Sequence, residues 1–150
     1  MFSTNLLIMS FLVSLVTGLA NEESPSLAAT LAAKRGQRRV ILIYAHDRTN
    51  PNLLVQQQLL TNQREGLNER DVDQITVIGT ELSAVDKRYL RGGDRKLADK
   101  TTFMTYLIGK DGGVKESFSA PVTPQTLFRL VDSMPMRQSE MRRRNPRQRT

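Results

Sequence analysis

Val40-Ile-Leu-Ile-Tyr-Ala45 is an unbroken apolar run with no polar side to turn toward water. It is rich in β-branched and aromatic residues and lacks helical spacing, which predicts a buried central strand rather than a helix segment. A central strand needs partners on both edges, so the rest of the chain must supply a sheet. Asn50-Pro51 follows as a turn and helix-start signal, with proline suited to the first helical turn. Leu53, Leu54, Leu59, Leu60 and Leu67 then carry apolar spacing for one helix over about 51–67, with Gln56, Gln57, Gln63 and Arg64 on its polar face. A second strand is expected at QITVIG, residues 74–79. Strand, helix, strand in that order favours a parallel crossover.

Residues 81–100 contain a helical turn broken at Gly92-Gly93. Beyond them, FMTYLIGKDGGVKESF (103–118) has three glycines and two lysines between apolar runs, as a phosphate-holding loop might. Such a loop needs Gly-x4-Gly-Lys-Ser/Thr between a strand and a helix start. Gly109-Lys-Asp-Gly-Gly113 lacks the spacing and the hydroxyl, and a strand pattern follows it. Asp-Gly between two extended runs instead predicts a hairpin, because glycine accepts the positive φ of such turns. A last helix is expected after Thr123-Pro124, with Thr123 as N-cap and Leu127, Leu130 and Val131 on one face. The pattern predicts an α/β domain with a mixed sheet flanked by helices.

At 150 residues, 39% hydrophobic and 25% charged, the chain suits one soluble domain. Leu6 to Val16 form an apolar run ahead of Gly18-x-Ala20, the pattern of a signal peptide over 1–20. The run is short for a membrane span, so secretion without stable membrane insertion is expected; a retained anchor is the alternative. The chain has no cysteine. Thiol nucleophiles, disulfides and Cys-ligated metal are therefore excluded, and stability must come from packing. No Asn-x-Ser/Thr sequon occurs.

The net charge of +7 is unevenly spread. Lys34, Arg35, Arg38 and Arg39 contribute +4 ahead of the first strand, and the chain from Arg137 contributes +5. Between them, residues 40–136 hold twelve basic and twelve acidic side chains. The body is neutral and the ends are basic. Residues 21–38 read as a flexible lead-in, with a short helix near 27–33; a dibasic processing site at Arg38-Arg39 would make them a propeptide, but it falls at the edge of the first strand. Residues 142–150 read as a disordered tail, without apolar periodicity. Arginine groups bind sulfate, carboxylate and phosphate through bidentate contacts. The candidate polyanion-binding residues are therefore Arg142, Arg143, Arg144, Arg147 and Arg149, with Lys34, Arg35, Arg38 and Arg39. Nucleic acid fits less well, because no aromatic stacking platform accompanies the charge.

His46-Asp47 is the one histidine–carboxylate neighbour pair, at a strand end where active sites of α/β sheets often sit. No nucleophile accompanies it and no metal-ligand spacing surrounds it, so it reads as a surface polar pair. Arg91-Gly-Gly-Asp94 lacks the spacing of the integrin-binding tripeptide.

FMTYLIGKDGGVK (103–115) and DSMPMRQSEM (132–141), with Arg39-Val-Ile-Leu-Ile-Tyr44 and Glu69-Arg-Asp71, closely resemble the domain of unknown function shared by coiled-coil-domain-containing protein 80 and the sushi-repeat-containing proteins. The resemblance covers about 36–142 and implies a single thioredoxin-like domain, here over 39–141. In that fold a redox motif follows the first strand, where this chain has HDRTNPN without cysteine, and the usual cis-proline has no counterpart near 101–103. The larger members implied by the resemblance are secreted matrix proteins linked to adhesion and heparin binding. The expectation is a secreted, non-enzymatic module without cofactor or metal, partnered by extracellular matrix proteins or glycosaminoglycans. Two alternatives remain: a cysteine-free oxidoreductase or peroxidase relative acting near His46, and a structural envelope protein.

Overall fold

The computed structural model describes residues 24–145. The expected signal peptide, Arg147 and Arg149 lie outside the described residues. Ten elements follow in order: α1 (Leu27–Ala32), β1 (Arg39–Ala45), α2 (Pro51–Leu60), α3 (Arg64–Glu69), β2 (Val72–Ile78), α4 (Ala84–Arg91), β3 (Phe103–Ile108), β4 (Val114–Phe118), α5 (Pro124–Ser133) and α6 (Pro135–Arg144). The strands form one sheet in the order β2-β1-β3-β4. β1 pairs parallel with β2, from Arg39↔Val72 to Ala45↔Ile78, and antiparallel with β3, from Val40↔Ile108 to Ala45↔Phe103. This mixed sheet with helices on both faces is the thioredoxin-like arrangement.

The VILIYA run is the central strand, and every residue of β1 is buried. Alternation along it feeds two cores, because successive side chains of a strand point to opposite faces. Ile41, Ile43 and Ala45 pack with Leu53, Leu60, Leu67, Leu127 and Val131. Val40, Leu42 and Tyr44 pack with Leu27, Leu31, Leu90, Leu97 and Tyr106. An apolar run with no polar face is thus what a strand between two helical layers requires.

The GKDGG segment is a hairpin turn. Gly109 N–H donates to the Gly113 carbonyl at 2.9 Å, Gly112 has φ +84°, and β3 pairs antiparallel with β4. Thr123 caps α5 as expected, its hydroxyl accepting from Thr126 N–H at 3.3 Å.

Three expectations are corrected. The single helix over 51–67 is two, broken at Thr61 and Asn62, residue types whose side chains compete for backbone hydrogen bonds; the Thr61 hydroxyl donates to the Gln57 carbonyl at 2.9 Å. The lead-in carries the expected short helix as α1, but it is packed rather than flexible: Ser26 caps α1, Leu27 N–H donates to Asp86 Oδ1 at 2.8 Å, and Leu27 and Leu31 join the second core. Removing 21–38 as a propeptide would strip that layer from the sheet. The tail does not begin at 142, because α6 runs on to Arg144.

Gln56, expected on the polar face of its helix, is fully buried while Leu54 is 55% exposed. Its amide satisfies one backbone position completely: Nε2 donates to the Val122 carbonyl at 3.0 Å and Oε1 accepts from Val122 N–H at 2.8 Å. This clamp holds the segment entering α5 against α2. Gln56→Ala leaves both Val122 groups buried without partners, so urea denaturation should show a loss of about 2–6 kcal/mol, at ~1–3 kcal/mol per orphaned group.

Candidate functional site

Because β1 and β2 are parallel and β3 runs against them, the start of β1, the start of β2 and the end of β3 lie at one end of the sheet. Arg38 and Arg39, Asp71, and Lys110 therefore meet there. α6 crosses the same end and brings Arg137, Glu140 and Arg144. The two basic ends of the sequence are gathered into one place.

Asp71 is where they touch. Its carboxylate lies 2.9 Å from Lys110 Nζ, 3.7 Å from Arg38 and 3.6 Å from Arg144. Its backbone has φ +51°, and its carbonyl accepts from Arg39 N–H at 2.7 Å. Asp73 continues the row, holding Arg38 at 2.6 Å and Lys34 at 2.8 Å. Arg144 also donates to the Glu69 carbonyl at 2.8 Å, and Arg142 donates to Ser139 Oγ at 3.0 Å. Arg142 and Arg143 are exposed on the last turn of α6, and Arg35 donates Nε–H to the Asp111 carbonyl at 3.1 Å.

Arg39 is a correction. It is 1% exposed and cannot belong to a polyanion-binding surface. Its guanidinium makes two 3.2 Å bonds to Glu140 and one of 2.9 Å to the Arg70 carbonyl. A buried charge is tolerated only with a fixed partner, and α6 supplies it. Arg137, read in the sequence as part of the basic C-terminal charge, is likewise 1% exposed. It donates to Asp132 at 3.2 Å, to Glu69 Oε1 at 2.9 Å and to the Glu69 carbonyl at 2.9 Å. Arg70 pairs with the same Asp132 at 2.8 Å and lies over the Phe128 ring, 4.4 Å from its centroid. Sequence reading missed these roles. The available signal was a basic residue at an i, i+3 spacing to Glu140 on a helix whose neighbour supplies Asp132.

The carboxylates titrate as this setting dictates. Burial pushes Asp71 up, but the Lys110 hydrogen bond and the charges of Lys110, Arg144 and Arg38 hold it below the ordinary range. Burial likewise opposes, and the basic partners outweigh it, at Asp73 (Arg38, Lys34), Asp132 (Arg70, Arg137) and Glu140 (Lys110, Arg39).

The end of β1 opposite this cluster holds HDRTNPN, and its polar groups serve the backbone. Asp47 accepts from Thr49 N–H at 2.9 Å and Thr49 Oγ1 at 2.7 Å; the hydroxyl bond, with the backbone one, keeps its carboxyl below the usual range. Asn50 Oδ1 caps α2 through Asn52 and Leu53 N–H at 3.0 and 3.3 Å, and its Nδ2 donates to the Thr102 carbonyl at 2.9 Å. The same carbonyl accepts from His46 N–H at 2.8 Å. His46 is exposed and lines a cavity of about 240 Å³ with Tyr44, Gly79, Lys87 and Arg91. Asp47 is thus turned toward Thr49, and the sequence neighbours form no relay. Among the described residues no group of three metal-ligating side chains comes together.

Two outcomes follow for stability. Glu140→Gln weakens the acceptor of Arg39 and Lys110, and Glu140→Ala removes it; chemical denaturation should show Glu140→Ala losing about 3–5 kcal/mol, the cost of stranding a buried charge. The four carboxyls have folded pKa values below their unfolded ones, so their stabilisation is present in full above about pH 4 and is lost as pH falls through the depressed values. Unfolding midpoints should hold steady down to about pH 5 and drop below about pH 4, where the carboxyls of the unfolded chain take up protons while the folded ones stay ionised.

No curated protein matches the chain. Among solved structures it is similar to a Plasmodium yoelii thioredoxin peroxidase I and to Plasmodium yoelii Prx1a modified at the N-terminus, which forms an artifactual octamer. Each is 13% identical, over 77% of this chain and 80% of that chain, with a TM-score of 0.49. The profile of the domain of unknown function DUF4174 matches residues 30–140, from α1 into α6. A match over that much of the chain places the protein in the DUF4174 family.

Proposed function

We propose that this protein is a secreted, non-enzymatic module that binds acidic polymers of the extracellular matrix, such as heparin-like glycosaminoglycans. The observation that carries the reading is the meeting of both basic ends at Asp71, through Arg38 and Arg144, with Arg142 and Arg143 exposed on the last turn of the same helix and Arg35 exposed ahead of β1. The internal acids neutralise the inner cations, Arg39, Lys110 and Arg137. The outer arginines are then the ones open to a polymer. Because α6 holds Arg142 and Arg143 on a helix, the backbone that carries them is fixed before binding and less main-chain freedom is lost.

Secretion rests on the apolar run and the Gly18-x-Ala20 pattern, and the matrix setting on the resemblance to the domain of coiled-coil-domain-containing protein 80 and the sushi-repeat-containing proteins. Binding would proceed by multivalent charge pairing, which is weak per contact and screened by salt. On a heparin column, Arg142→Ala with Arg143→Ala should elute at clearly lower salt than the unsubstituted chain, with the melting temperature unchanged. Elution at the same salt would remove the arginines of α6 from the reading.

A further inference from the structure

A cavity of about 300 Å³ opens on the α1 and α4 side of the sheet, with Leu31, Val40 and Ile108 as its apolar lining. Arg35, Arg38 and Arg95 stand around it, and no acidic side chain lines it among the described residues. Three guanidinium groups about an apolar floor form a different kind of place from the ion-paired cluster at Asp71. A polymer held by charge alone has no use for a floor.

The three arginines are not equivalent. Arg38 is committed to Asp73 at 2.6 Å. Arg95 is half-held: its guanidinium lies 3.8 Å from the centre of the Tyr89 ring, its Nε–H donates to the Tyr89 carbonyl at 3.0 Å, and Nη1 approaches Asp94 at 3.3 Å. Stacking fixes its plane and leaves Nη2 without a hydrogen-bond partner among the described residues. Arg35 donates Nε–H to the Asp111 carbonyl and forms no ion pair among the described residues. It reaches that position by lying across the hairpin at Gly112, where a Cβ would stand 2.6 Å from its Nε. Gly112 therefore does two things: its φ of +84° turns the hairpin, and its missing side chain admits Arg35 to the cavity wall.

We propose that this cavity is a binding site for a small amphipathic anion, an apolar ring bearing one sulfate or carboxylate. The ring lies on Leu31, Val40 and Ile108, and the oxyanion is taken by Arg35 and Arg95. The volume is at the lower end of that of small-molecule pockets, which suits a ligand of about one ring. Planar guanidinium groups match the oxygens of such an anion, and the apolar floor rewards the ring. The site shares Arg35 with the polymer surface but not Arg142 or Arg143, so binding here can be tested apart from the arginines of α6.

Phenyl sulfate is the probe, titrated into the full chain with methyl NMR shifts and calorimetry as readouts, and with inorganic sulfate in parallel. The expected result is saturable one-site binding that moves the Leu31, Val40 and Ile108 methyls, with inorganic sulfate at least about tenfold weaker for want of the ring. Arg35→Gln, at an exposed position that leaves the core intact, should weaken phenyl sulfate about tenfold, and Arg95→Gln by a similar factor. Arg142→Ala with Arg143→Ala should leave the affinity unchanged. The proposal is overturned if no saturation occurs, if inorganic sulfate binds as tightly, or if Arg35→Gln binds phenyl sulfate as the unsubstituted chain does while melting at the same temperature. Loss of heparin retention with phenyl sulfate binding intact, or the reverse, separates this site from the arginines of α6.

Discussion

Glu140 binds two cations from different places at one end of the sheet. Its carboxylate accepts two bonds from Arg39 at the start of β1 and one of 2.8 Å from Lys110 just past the end of β3. Each cation is buried or nearly so, and neither would tolerate its position without an anion, because desolvating an unpaired charge costs several kcal/mol. Lys110 also has Asp71 at 2.9 Å, but among the described residues Arg39 finds its carboxylate on α6 alone, so closing that helix over the sheet and burying Arg39 are one event. Arg137 repeats the device one turn earlier, tying α6 to α3 through Glu69 and to α5 through Asp132. In a chain without cysteine, these pairs perform the local cross-linking that other small domains assign to disulfides.

The same constraint sorts the basic residues by use. Those at the centre of the sheet end are consumed by the fold, and only those a helix turn or a loop further out face solvent. Arg39 and Arg142 look alike in a sequence, as members of two basic clusters. One lies in the core with a bidentate partner; the other stands on the last turn of a helix, where a cation also suits the helix dipole.

The opposite end of β1 tells a related story about polar residues. HDRTNPN occupies the position of a redox motif in a thioredoxin-like fold, yet Asp47 and Asn50 spend their side chains on a turn and a helix cap. The loop is also tied to the next strand: the Thr102 carbonyl, ahead of β3, accepts bonds from both His46 and Asn50. Local hydrogen bonding of this kind is favoured by Asx residues wherever a chain leaves a strand for a helix.

The sequence by itself determined the strands, the hairpin and the α5 cap. These depend on local chemistry: an apolar run with no polar face, Asp-Gly where a positive φ is needed, and Thr-Pro at a helix start. It also marked Arg35, Arg38, Arg142, Arg143 and Arg144 as a basic set, because charge is additive along a chain. Only the tertiary structure decided which cations are buried, since burial of Arg39, Arg137 and Gln56 depends on partners up to 101 residues away. It decided too that Arg95, unremarkable in sequence, stands with Arg35 at one cavity. Pairing across such distances is set by how layers stack on a sheet, and no spacing along the chain encodes it.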